Sequence, residues 1–229
     1  MKHTATVLVC LGLASGINAQ ASMLSFSCIT NNHVNDCNIG QAQLGVDVNS
    51  TSKGVSFTFT NQVGLASSIT DVYFDAGASS LSGSPMPVIT DSDGSGTNVT
   101  FKFDANPSNL PGANNATPAF NASTSTVFTA GANSGNGGTT AHGVNSASEW
   151  LTINYSLKNG NSFNDVLTEL SNGKLRLGMH VTGFASGGSE SFVNDPGVPP
   201  QVIPIPAAAW LLGSGLIGLV GVARKKATQ

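Results

Sequence analysis

Leu151-Thr152-Ile153-Asn154-Tyr155-Ser156-Leu157 alternates apolar and polar residues without a break. Successive side chains of a strand point to opposite faces, so this stretch predicts a half-buried strand with its four odd-numbered residues turned toward a core. The same period recurs on both sides of it. Leu175-Leu177-Met179-Val181 follows it, and Leu24-Phe26-Cys28, Leu44-Val46-Val48, Val55-Phe57-Phe59, residues 72–74, Val99-Phe101-Phe103 and Val127-Phe128 precede it. Gly, Asn, Ser and Pro bound these runs. About nine short strands with turn-rich connections predict a mainly β protein, an antiparallel β-sandwich or jelly roll.

One short helix interrupts the strands. Ser162 is its expected cap and Asp165 the partner in a capping-box-like pair. Phe163, Val166, Leu167 and Leu170 share one face, and Gly173 stops it. It is expected to cover an end or edge of the sandwich. Residues 106–119 and 130–147 are long, polar connections, expected to be loosely ordered, with binding as the alternative.

Charged residues make up 9% of the 229-residue chain, well under the roughly 25% of ordinary soluble domains. Hydroxyls, amides and 27 glycines take their place, which suits a turn-rich β protein better than a helical enzyme. All 12 acids lie between Asp36 and Asp195, with five bases among them, a net of −7 for that region. Without basic clusters it offers nothing to neutralise phosphates, so nucleic acid is not an expected partner.

The ends read as targeting segments. Lys2 and His3 precede the apolar residues 5–13, and Ala19-Gln20-Ala21 forms a small-residue cleavage site. Cleavage is expected after Ala21, with Ala19 as the alternative. Cys10 leaves with this signal, so Cys28 and Cys37 remain as a pair. Outside the cytoplasm eight intervening residues read as a disulfide loop; a metal pair lacks further ligands, His33 being the lone candidate.

At the other end, prolines 196, 199, 200, 204 and 206 make a stiff, extended approach to an uncharged apolar run at residues 207–223. As a helix this run is about 25 Å long, at the short end of what spans a bilayer. Arg224, Lys225 and Lys226 follow at once and favour the cytoplasmic side, while Trp210 suits the outer interface.

The stretch Ile203-Pro204-Ile205-Pro206-Ala207-Ala208-Ala209-Trp210-Leu211-Leu212-Gly213, closed by Arg-Lys-Lys, resembles the PEP-CTERM sorting domain. It is most similar to the variant that reads V-P-x-P-A-A, with Ile203 in place of Val and no Glu between the prolines. Residues 178–194 are more loosely similar to the ends of ectodomains that precede such tails. The resemblance implies recognition by an exosortase at Pro204, Ile205, Pro206, Ala207 and Ala208, after export through the Sec translocon. It further implies a transient stay in the inner membrane of a Gram-negative bacterium, then delivery to the cell surface or matrix, with exopolysaccharide as a candidate partner. The expected organisation is a signal peptide (1–21), a β-sandwich ectodomain (22–195), a Pro-rich linker with the sorting motif (196–206), a transmembrane helix (207–223) and a basic tail (224–229).

Chemistry is sparse. There is no G-x-S-x-G elbow, and His33, His142 and His180 fall in unconnected contexts. His180 is expected on the face of its strand opposite Leu177 and Met179. The pairs Asp71 with Asp75 and Glu149 with Asp165 could serve as paired carboxylates, although solvated acids are the commoner reading. Asp91-Ser92-Asp93-Gly94-Ser95-Gly96 matches the first half of a calcium loop, but Lys102 stands where the closing Glu belongs, so a plain turn is expected. Neither a cofactor nor a resident metal is expected. Three readings follow: a non-enzymatic surface or matrix protein, a carbohydrate-binding module using Trp150 and Tyr155, and a secreted hydrolase, which lacks an evident nucleophile and base.

Overall fold

A computed structural model describes residues 21–62, 64–93, 98–103, 105–123, 127–131, 138–195 and 201–203. The protein is mainly β, with 13 strands and two α-helices among these residues. The strands are β1 (Ala21–Leu24), β2 (Phe26–Cys28), β3 (Leu44–Thr51), β4 (Gly54–Asn61), β5 (Ser68–Asp75), β6 (Leu81–Ser82) and β7 (Val88–Asp91). They continue as β8 (Phe101–Phe103), β9 (Val127–Ala130), β10 (Trp150–Leu157), β11 (Arg176–Thr182), β12 (Glu190–Asn194) and β13 (Gln201–Ile203). The helices are α1 (Val34–Gln43) and α2 (Phe163–Ser171).

Two antiparallel sheets form. The first has the order β13-β1-β3-β4-β10-β6, with β7 also on β10; the second is β2-β12-β11-β5-β9-β8. Their inner faces share one core, because the period-2 residues of both turn inward. Val46, Phe57, Phe59, Leu151 and Ile153 from the first sheet join Val72, Phe74, Phe128, Leu177 and Met179 from the second. Phe74 sits at the centre, edge-on to Phe57 at 5.1 Å and to Tyr155 at 5.1 Å, geometry in which ring edges meet ring faces.

The expected strand over Leu24-Phe26-Cys28 is two strands. The chain leaves the first sheet after Leu24 and enters the second at Phe26, yet both side chains are buried in the shared core. A chain crossing from one sheet to the other keeps alternate residues inward, so the pattern reads as a single run.

Helix α1 has no counterpart in the hydrophobic pattern. Its buried residues are Asp36, Cys37, Gly40 and Gln43, which tertiary contacts fix one by one. Cys37 is at disulfide distance from Cys28, with Cα atoms 5.4 Å apart. The Ser186 hydroxyl donates to Asp36 at 2.5 Å. Gly40 lies flat on Phe192, where a Cβ would come within 2.1 Å of the ring. Gln43 receives the amides of Gly64 and Leu65 on Oε1 and donates from Nε2 to the Leu65 carbonyl, holding the turn after β4.

Helix α2 matches its expected residues. The Ser162 amide and hydroxyl both donate to Asp165 at 2.7 Å, Val166 and Leu170 enter the core, and Gly173 follows with φ 75°. Buried Glu169 receives the amide and hydroxyl of Ser80, seating the helix against β6.

Where they are described, the long connections pack more closely than their polarity suggests. Leu110, Ala113 and Phe120 lie on the outer face of the second sheet, over Tyr73, Val127 and Val193, as a second apolar cluster. Arg176 holds this flap: its guanidinium pairs with Asp75, donates to the carbonyls of Pro118 and Ala119, and lies over the Phe120 ring at 5.3 Å. In the second connection Val144 is buried and bridges to Ile69, while Gly138 passes so close to β5 that a Cβ would stand 2.1 Å from the Thr70 carbonyl.

Candidate functional site

The sorting residues Pro204, Ile205, Pro206, Ala207 and Ala208, and the basic cluster Arg224, Lys225 and Lys226, lie outside the described residues. Among the described residues no helix is long and apolar enough to cross a membrane. What the fold does position is the approach to both flanks. Within the segment expected as a linker, β13 pairs antiparallel with β1: Ala21 faces Ile203, Ser22 faces Val202 and Met23 faces Gln201. In an antiparallel pair the start of one strand lies beside the end of the other. The expected signal-cleavage point and the residue before Pro204 are therefore neighbours on one sheet edge.

The cysteine pair lies beside Glu190, the one grouping of three possible metal-ligating residues among the described ones. Its chemistry is structural. The two sulfurs are joined to each other, and fully buried Glu190 is occupied by the Thr30 hydroxyl and the amides of Asn32 and His33, at 3.0 and 2.6 Å. This carboxylate ties the residues between β2 and α1 to β12. His33 contributes its amide to that cluster, not its ring. His142 is elsewhere, with Nδ1 3.2 Å from the Asn98 carbonyl.

His180 is less isolated than the sequence suggests. It stands on the outer face of β11, directly across from Asp71 of β5 and from Ser191 of β12. Its Nδ1 is 3.4 Å from Asp71 Oδ2. Asp, His and Ser thus follow one another across three strands, in the order of a hydrolase triad. Access decides against a nucleophile here. Ser191 has 0% of its surface exposed and its Oγ makes no hydrogen bond to any described residue, the imidazole of His180 included, so nothing there activates it and a substrate has no open path to it. The row arises from register between distant strands, which no local motif encodes.

The proposed carboxylate pairs do not form pairs. Asp71 goes to His180 and Asp75 to Arg176. Glu149 receives the amides of Asn145 and Ser146, while Asp165 belongs to the α2 cap. The Asp91–Asp93 stretch begins as a turn, with the Asp93 amide donating to Asp91 at 3.2 Å and the Asn98 amide to Asp93 at 2.6 Å. Lys102 lies on β8, and Glu149 shares a polar cleft of about 170 Å³ with Asp93. A larger cleft of about 360 Å³ opens at the tip of the β3–β4 hairpin, between Lys53, Lys158 and Phe163.

Trp150 and Tyr155 do not form a joint platform. Five residues apart on one strand, they face opposite sides. Tyr155 is 2% exposed in the core, where burial drives its phenol far above the ordinary range. Trp150 is half-buried on the outer face of the first sheet.

Comparison with protein-family models, curated proteins and solved structures gives no match.

Proposed function

We propose that this chain is an exported cell-surface or extracellular-matrix protein of a Gram-negative bacterium, sorted by an exosortase. In this reading a non-enzymatic β-sandwich ectodomain is carried between a cleaved signal peptide and a transient membrane helix at residues 207–223. The observation that carries it is the β1–β13 ladder. With Ala21 opposite Ile203, a signal peptide before β1 and a membrane helix after β13 would both start from one sheet edge, so both could occupy the same membrane while the domain folds outside it. A charge-poor composition and a disulfide-linked cysteine pair suit that compartment. The motif from Pro204 to Ala208 would then emerge directly from the sheet edge, and Arg224, Lys225 and Lys226 would hold the helix end in the cytoplasm.

The test replaces Arg224, Lys225 and Lys226 with Gln and follows the protein by cell fractionation. The expected result is loss of correct processing and accumulation of an unsorted form. Surface delivery unchanged from wild type would overturn the sorting role of this tail. Amino-terminal sequencing of the delivered protein should begin at Ser22.

A further inference from the structure

The two outer faces of the fold differ. That of the second sheet lies under the Leu110–Phe120 flap and its Arg176 clasp, whereas no described residue covers the middle of the first sheet. There Asp47, Thr58, Thr152 and Thr90 stand in one cross-strand row through β3, β4, β10 and β7. Trp150 stands one row away, opposite Thr60, and Asn154 one row away on the other side. Strand spacing of about 4.8 Å makes each row about 15 Å wide, with rows about 7 Å apart.

These groups keep hydrogen-bonding capacity toward solvent. The Thr58 and Thr152 hydroxyls meet at 2.8 Å; one proton serves that contact, leaving the other hydroxyl proton and outward lone pairs. Trp150 is fixed at its base by two bonds with Ser92, from its own amide to the hydroxyl at 3.2 Å and from the Ser92 amide to its carbonyl at 3.1 Å. Its half-buried indole offers an apolar ring with a polar edge. Across these rows Asp47 is the one charge.

We infer that this face docks a neutral polysaccharide, with the pyranose rings stacking on Trp150 and their hydroxyls meeting the threonine rows. Charge selects the class. An anionic polymer meets a domain of net −7 and no base on the face, and a cationic one finds a single carboxylate. A protein partner needs an apolar centre, whereas among the described side chains of these rows the exposed apolar one, Val88, is at the margin, opposite Asn154. The inference rests on the surface-protein reading only for where the ligand is met.

The test is affinity electrophoresis of the full chain, purified from whole cells, in native gels containing hydroxyethylcellulose, dextran or galactomannan, with alginate as the anionic control. At least one neutral polymer should retard the protein and alginate should not. Trp150→Ala should weaken the retardation about tenfold, the equivalent of one lost aromatic contact, and Thr152→Lys should abolish it. Leu65→Ser, at an exposed position in the turn after β4 and outside these rows, should leave it unchanged, and thermal melts should show all three variants folded. Retardation by none of the neutral polymers, or equal retardation by alginate, would overturn the inference. So would a dimer in sedimentation that Thr152→Lys dissociates, because the face would then belong to a second copy. Retardation is read on the folded domain however its C-terminus was processed, so its failure leaves the sorting proposal to its own test.

Discussion

Tyr155 carries a hydroxyl into the core that finds no partner among the described residues. A buried, unsatisfied hydroxyl costs about 1–3 kcal/mol of desolvation, and Phe keeps the ring that meets Phe57 and Phe74 edge-on. Tyr155→Phe is therefore expected to raise stability by about 1 kcal/mol, read as a higher urea midpoint at unchanged slope; a lower midpoint would show that the hydroxyl is held. At this scale the inward residues were the most legible part of the sequence, since Leu151, Ile153 and Tyr155 all point where alternation puts them. The sequence hid the partners of polar residues. That Glu190 holds the residues before α1, or that His180 meets Asp71, follows from strand register and from chain separations of more than 100 residues.

Among the elements, α1 and the flap show why periodicity failed where it did. An element anchored by a disulfide, a glycine against a ring and a glutamine clamp has no apolar stripe to detect. The flap hides Leu110, Ala113 and Phe120 in a polar segment, held by one buried ion pair. Arg176→Gln leaves Asp75 without its cation and is expected to cost about 3 kcal/mol, the lower end for breaking a buried pair because Asp75 is partly exposed. Hydrogen exchange should rise first in residues 109–120; unchanged protection there would contradict the clasp. The α2 cap makes a prediction in pH. The Ser162 hydroxyl, then its amide, lower the Asp165 pKa from 3.8. A lowered folded-state pKa means the carboxylate form is preferred after folding, so the contribution is complete above the ordinary value and vanishes as pH falls through the folded-state one. Asp165→Asn should thus lower the melting temperature at neutral pH, with the two melting curves converging in acid below pH 3.8. A gap that persists in acid would rule out the ionised cap as its source.

For the whole molecule, a mainly β fold with antiparallel sheets was legible from alternation. The pairing of β1 with β13, the strands nearest the two ends, was not. Nothing in Ala21 or Ile203 announces the other, and a proline-rich approach argues against a strand until Gln201–Ile203, which contains no proline, is seen beside β1. That meeting makes the sorting proposal specific about place, because cleavage just beyond β13 would leave the strand in its sheet and free the domain whole. The direct measurement is carboxy-terminal peptide mapping by mass spectrometry of protein extracted from the cell surface. Exosortase cleavage at this motif should yield chains that begin at Ser22 and end between Pro204 and Ala207. Peptides spanning Trp210 to Arg224 in most molecules would mean a permanent membrane anchor and would contradict it.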